Sequence, residues 1–153
     1  LKTSKVYSDL NNHICETCAK CKICVKPFPK KTENRSKVVL DLVHTDICGP
    51  MNKSSQGGAR YFVTFIDDKS RYTYVSFLKS RDEVLEKFKV FKAFAEKQTG
   101  KKIKCLRSDN GREYLSGAFG QLLASNGIKR QLTVPHTPQQ NGVSERADRT
   151  LVE

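Results

Sequence analysis

From Val38 onward the spacing of apolar residues changes period in a fixed order, and that order narrows the fold more than any other feature of the chain. Val38 to Cys48, Tyr61 to Ile66 and Tyr72 to Leu78 are β-branched and aromatic runs with the two-residue alternation of strands. Gly49-Pro50 stops the first run. Asp67-Asp68-Lys69-Ser70 separates the other two, which therefore read as a hairpin. The period then becomes helical. Ser80-Arg81-Asp82-Glu83 has capping-box spacing, and Val84, Leu85, Phe88, Phe91, Phe94 and Ala95 form one stripe that ends at Gly100. Ile103 to Arg107 reads as a fourth strand. A second helix runs from Ser116, with Phe119, Leu122 and Leu123 inward, to Asn126-Gly127. Lys129 to Val134 is a fifth strand, and a last helix carries Val143, Ala147, Thr150 and Leu151 on its apolar side. A meander followed by alternating helices and strands predicts an α/β domain, a mixed sheet with flanking helices.

Ahead of Val38 the composition is of another kind. Residues 1–37 hold nine Lys and Arg against three Asp and Glu, and four of the six cysteines: Cys15, Cys18, Cys21 and Cys24. Pro27-Phe28-Pro29 and the polar run from Lys30 to Lys37 read as a basic linker, 27–37, between a small segment, 1–26, and the domain, 38–153. Cysteines at every third position close loops too short for unstrained disulfides. Thiolates two residues apart fold onto one tetrahedral ion, so Cys15 and Cys18 form half of a zinc site, with His13 as a possible third ligand. An iron–sulfur run is the rival reading of the same spacing. The net charge of +12 over 153 residues points to a polyanion, nucleic acid by default, and leaves the chemistry open. No apolar run approaches the ~20 residues of a membrane span, and no secretory leader is evident. A first residue of Leu rather than Met suggests a piece of a longer polyprotein or an incomplete reading frame.

Three acids stand at element ends: Asp46 late in the first strand, Asp109 just after the fourth, and Glu145 on the last helix, with 35 residues between Asp109 and Glu145. Here the chain resembles the integrase catalytic core of retroviruses and LTR retrotransposons, whose metal-binding acids follow a D,D-35-E pattern. Its wording is similar to the copia-like group in His44-Thr45-Asp46-Ile47-Cys48-Gly49-Pro50, Phe65-Ile66-Asp67-Asp68, Arg107-Ser108-Asp109-Asn110-Gly111-Arg112-Glu113-Tyr114 and Pro138-Gln139-Gln140-Asn141-Gly142-Val143-Ser144-Glu145-Arg146. Cys15-Glu16-Thr17-Cys18 followed by Pro27-Phe28 resembles the end of that group's zinc-binding segment. The resemblance covers essentially residues 13–153. It implies a ribonuclease H-like fold, preceded here by an incomplete zinc-binding segment. It also implies DNA end processing and strand transfer, two Mg²⁺ or Mn²⁺ ions with Asp46 bridging and Asp109 and Glu145 each completing one, and assembly as a homo-oligomer. The place of action would be the nucleus, after a cytoplasmic particle stage. The chemistry needs such acids because phosphodiester attack develops charge on both the attacking and the leaving oxygen. Two ions about 3.5–4 Å apart hold both oxygens in line, and hard cations choose carboxylate oxygen.

Other residues carry secondary expectations. His44, two residues before Asp46, shares its strand face and either orients a group at the site or packs beside it. Asp67 and Asp68 are assigned to the turn, Glu113 to a turn or salt bridge, and Cys48 and Cys105 to apolar filling. Gln139, Gln140, Asn141 and Arg149 are the DNA-contact candidates, while Lys101, Lys102 and Lys104 supply salt-dependent attraction to the backbone. The family's zinc segment has two upstream histidines that this sequence lacks, and the chain ends eight residues after Glu145. Binding of DNA without efficient joining is therefore expected of this segment alone. Two alternatives are a ribonuclease H acting on RNA in hybrids, and a relic that binds nucleic acid by charge without chemistry.

Overall fold

The computed structural model describes residues 35–133 and 142–152, with only the backbone described at Glu145. The readings placed on Cys15, Cys18, Gln139, Gln140 and Asn141 lie outside the described residues.

Five strands form one sheet: β1 (Val43–Cys48), β2 (Tyr61–Asp67), β3 (Thr73–Leu78), β4 (Cys105–Ser108) and β5 (Lys129–Leu132). Their order across the sheet is β3-β2-β1-β4-β5. The first three are antiparallel, whereas β4 runs parallel to β1 and β5 parallel to β4. Helices α1 (Val84–Thr99), α2 (Arg112–Leu115), α3 (Gly117–Ser125) and α4 (Gly142–Val152) complete the mixed α/β architecture.

Strand β1 is shorter than its alternation predicts. Leu40 takes a left-handed backbone, φ 67, which an L-residue adopts only when held. The holder is Asp67: one carboxylate oxygen accepts from the Leu40 amide at 2.7 Å, the other from the Ser70 amide at 2.7 Å and its hydroxyl at 2.6 Å. Leu40 thereby turns into the core instead of extending a strand. Asp68 likewise reaches back, accepting from the Ser36 amide at 2.7 Å and pairing with Arg71 at 3.3 Å. Both aspartates are structural, as expected, but they tie the hairpin turn to the segment leading into β1.

A row of rings fills one side of the sheet. Phe65 stacks on Phe91 at 4.7 Å and 8° between planes. Phe88 lies 5.7 Å from Phe65 and 5.4 Å from Phe119, which meets Tyr114 edge-on at 5.4 Å. These offset and edge contacts let α1 and α3 share one core with Val43, Ile47, Val63 and Leu106. The α1 stripe is narrower than predicted: Val84, Phe88, Phe91 and Ala95 are buried, Leu85 is half-buried, and Phe94 faces outward against Tyr74. Gly100, at φ 66, ends α1 as expected. The expected second helix starts at Ser116, whose extended backbone separates it from the preceding single turn α2 and whose hydroxyl accepts from the Phe119 amide to start α3.

Glu96, on the last turn of α1, is buried. Burial alone would raise its carboxyl. Hydrogen bonds from Lys102, the Ile103 amide and Lys92 outweigh that and hold it below the usual glutamate value. A depressed folded-state value means that this stabilisation is complete above the unfolded value, about 4.3, and is lost as pH falls through the folded one. Glu96→Gln should therefore cost about 2 kcal/mol at neutral pH and flatten the acid limb of the stability profile. Urea melts from pH 7 to pH 3 check this, and a variant with an unchanged acid limb would count against it.

The last helix covers only part of the face its apolar residues suggest. Ser144 is fully buried and Val143, Ala147 and Asp148 are half-buried, whereas Thr150, Leu151 and Val152 are exposed. The physical reason lies on the sheet: the Thr64 hydroxyl donates to Asp148 at 3.2 Å, so a polar position becomes the point of attachment.

Candidate active site

Two parallel strand ends bring the first two acids together. Val43 pairs with Leu106 and His44 with Arg107. The ladder stops there, and Asp46 and Asp109 each follow two residues beyond its last pair, on neighbouring strand ends. Both residues lie at carboxyl ends of strands, where open α/β sheets gather their ligands. Asp46, half-buried, accepts from the Ile47 amide at 2.9 Å, and Asp109 accepts from the Gly111 amide at 3.0 Å.

Beneath them lies Tyr114, the end of the aromatic row, 1% exposed, its hydroxyl 2.9 Å from that of Thr45. Burial pushes its phenol well above the usual tyrosine range. The Thr45 hydrogen bond opposes this, while the charges of Asp46, Asp109 and Glu113 add to it. The phenol stays neutral, and the charges of three carboxylates nearby favour that form. Gly111 permits that crowding. A β-carbon there would stand 2.7 Å from Glu113 Oε1 and 3.0 Å from Asp109 Oδ1, so the two carboxylates close over the space it would fill.

The third acid sits on α4, which crosses β1 and β2 on the side of the sheet that carries His44 and Asp46. Thr64, the partner of Asp148, is itself paired with Asp46 in the β1–β2 register. Burial raises the Cys48 thiol, and the charges of Asp148 and Asp46 raise it further, so both carboxylates lie near that sulfur. The helix bearing Glu145 is thus anchored beside Asp46, one turn along from Glu145. Asp148 is an acid that the sequence reading missed, although its position three residues after Glu145 places both on one helix face. Among the described residues, no three acids, cysteines or histidines stand close enough to hold an ion together.

His44 is 1% exposed and donates from Nε2 to Asp68 at 3.1 Å. Burial lowers its imidazole below the usual value, and the Asp68 bond only partly offsets this. Its contacts are those of a support for the hairpin turn. Cys48 and Cys105 are half-buried rather than core fillers. Arg149 is exposed on α4, and Lys101, Lys102 and Lys104 are exposed ahead of β4, at the opposite end of that strand from Asp109. Lys102 and Lys104 are already paired, with Glu96 and Asp41.

Residues 38–138 match the family described as Integrase core domain. The retrovirus-related Pol polyprotein from transposon TNT 1-94 of Nicotiana tabacum is 49% identical over 139 residues, 91% of this chain and 10% of that protein. The Pol polyprotein from transposon RE2 of Arabidopsis thaliana is 34% identical over 139 residues, 91% of this chain and 9% of that one. The Transposon Ty1-NL2 Gag-Pol polyprotein of Saccharomyces cerevisiae is 31% identical over 113 residues, 72% of this chain and 6% of that one. The chain thus spans a tenth or less of the length of these relatives. In fold it is similar to a chain of the simian T-cell lymphotropic virus intasome, solved by cryo-EM in complex with PP2A regulatory subunit B56 gamma. The TM-score is 0.63 at 19% identity, over 78% of this chain and 41% of that one.

Proposed function

The chain belongs to the integrase core domain family, and from that premise we propose that it is the DNA-joining core of a copia-like retrotransposon Pol polyprotein, which processes element ends and transfers them to target DNA. The observation that carries this reading is the placement of Asp46 and Asp109 at neighbouring parallel strand ends, with the Glu145 helix laid across the same strand. The donor set fits Mg²⁺ or Mn²⁺, because it consists of carboxylate oxygens. Asp46, Asp109 and Glu145 would hold the ions, which when bound stabilise charge on the attacking and leaving oxygens of a phosphodiester.

The chain's own residues supply the rest. Tyr114 and Thr45 buttress the strand behind Asp46 with neutral hydroxyls. Arg149, Gln139, Gln140 and Asn141 contact the DNA end, and the exposed lysines add attraction that carries no sequence reading. Assembly as a homo-oligomer, action in the nucleus after a cytoplasmic particle stage, and half of a zinc site at Cys15 and Cys18 belong to the same reading.

The test is joining of a 3′-hydroxyl duplex end to a second duplex by the integrase that contains this segment. Joining should require Mg²⁺ or Mn²⁺ and disappear with Glu145→Gln. DNA retention should survive that change and weaken steeply with salt, because neutralised phosphates release their counterions. Preferential cutting of RNA in hybrids would favour the ribonuclease H alternative. Joining that ignores Glu145→Gln would overturn the reading, and acids dispensable for every activity would favour the relic.

A further inference from the structure

The β1–β4 ladder ends at the His44–Arg107 pair, two residues before each acid, so backbone pairing alone does not set the distance between Asp46 and Asp109. One side chain spans the gap beyond it. Arg81, from the turn after β3, donates through Nη1 to Glu113 Oε1 at 3.1 Å and through Nη2 to the Gly49 carbonyl at 3.4 Å. Gly49 lies three residues after Asp46, and Glu113 four after Asp109. Each anchor is fixed. A β-carbon at Gly49 would stand 2.6 Å from the Arg60 carbonyl and 2.8 Å from the Tyr61 ring, so that strand end is packed closely against the start of β2. The Glu113 side chain is only 6% exposed, and its carboxylate lies against the empty side of Gly111, beside Asp109. The guanidinium itself is seated over the Tyr61 ring at 5.6 Å.

We infer that Arg81 is a positioning residue that sets the spacing of the two acid-bearing strand ends, acting through Glu113 and the Gly49 carbonyl. The inference rests on the reading of Asp46 and Asp109 as metal-holding acids. A planar fork with several fixed donors can engage both acceptors at once, which a lysine ammonium on a flexible stem does poorly. As a half-exposed ion pair, the Arg81–Glu113 contact by itself contributes little to stability. Its consequence is geometric.

Geometry and plain charge make opposite forecasts. If Arg81 acted only as a nearby positive charge, its removal would make the site more negative and tighten binding of a divalent cation. If it sets spacing, its removal weakens binding. The experiment titrates Mn²⁺ by electron paramagnetic resonance into the wild-type chain and into Arg81→Met, Arg81→Lys, Glu113→Gln, Arg81→Met/Glu113→Gln and Asp46→Asn, with thermal melts in EDTA to verify folding. Arg81→Met should melt within about 3 °C of wild type yet need about tenfold more Mn²⁺ for half-saturation, the range seen when outer partners of metal ligands are lost. Arg81→Lys should recover only part of that loss. Glu113→Gln should weaken binding too, and the double variant should be no worse than Arg81→Met, because both changes break one bridge. Unchanged or tighter Mn²⁺ binding by Arg81→Met, with binding abolished by Asp46→Asn, would overturn the inference and leave the metal reading standing. Equal Mn²⁺ binding by wild type and Asp46→Asn, or none by wild type, would overturn both.

Discussion

Asp46→Asn is expected to abolish metal-dependent joining, by at least about a hundredfold in rate, while DNA affinity stays within about twofold of wild type. The substitution isolates charge. Asparagine has the size of aspartate, and its carbonyl oxygen can still accept from the Ile47 amide as Asp46 does at 2.9 Å. Half-buried on the central strand between β2 and β4, it should leave packing intact, so melting temperature in EDTA should hardly move. What it removes is a hard anionic donor beside Asp109. Joining yield with Mg²⁺ and with Mn²⁺, set beside fluorescence anisotropy on the same DNA, separates the two effects. A variant that joins within tenfold of wild type would remove Asp46 from the chemistry.

Phe91→Ala should destabilise the domain by about 4 kcal/mol, the usual cost of deleting a fully buried ring from a packed core. Phe91 is 1% exposed, lies flat on Phe65, and meets Tyr74 at 5.4 Å, so its loss opens a cavity between α1 and the sheet. For a domain of this size that corresponds to about 10–20 °C in melting temperature. Phe94→Ala, three residues on but 41% exposed, should cost under about 1 kcal/mol. The pair of melts tests which phenylalanines form the buried stripe of α1. Equal losses at both positions would contradict the packing.

Features fixed by neighbours in the chain were legible in advance. The hairpin of β2 and β3 and the stop of α1 at Gly100 depend on turn and cap residues within a few positions of each other, whereas Ser80 caps a 3-10 turn, Arg81–Glu83, and α1 starts after it at Val84. Asp46, Asp109 and Glu145 stand out through block wording and spacing rather than through periodicity, and the first two lie at neighbouring strand ends. What escaped were contacts across the fold. Leu40 alternates like a strand residue, yet a carboxylate 27 positions away bends it into a turn. For Glu113 the sequence leaves a turn or a salt bridge open, and its partner Arg81 lies 32 positions off with no local signature. The face of α4 is only half legible, through Val143 and Ala147, because Ser144 and Asp148 are polar and still point inward, a choice that Thr64 dictates from another strand. Asp148 passed unnoticed for the same reason.

The parallel pairing of β1 with β4 has a consequence for how the domain matures. Strands β1 to β3 are consecutive hairpin-like neighbours, whereas β4 reaches β1 only after the whole of α1 has been laid down. Long-range parallel pairing closes slowly, because the chain between must be ordered first. Until it closes, the free side of β1 is an open edge of the kind that invites pairing with other chains. The same closure covers that edge and brings the strand ends that carry Asp46 and Asp109 side by side. A divalent cation that recognises the pair would bind only the finished domain and bias the equilibrium toward it. During biosynthesis, any such cation affinity and protection from aggregation would be acquired in one event.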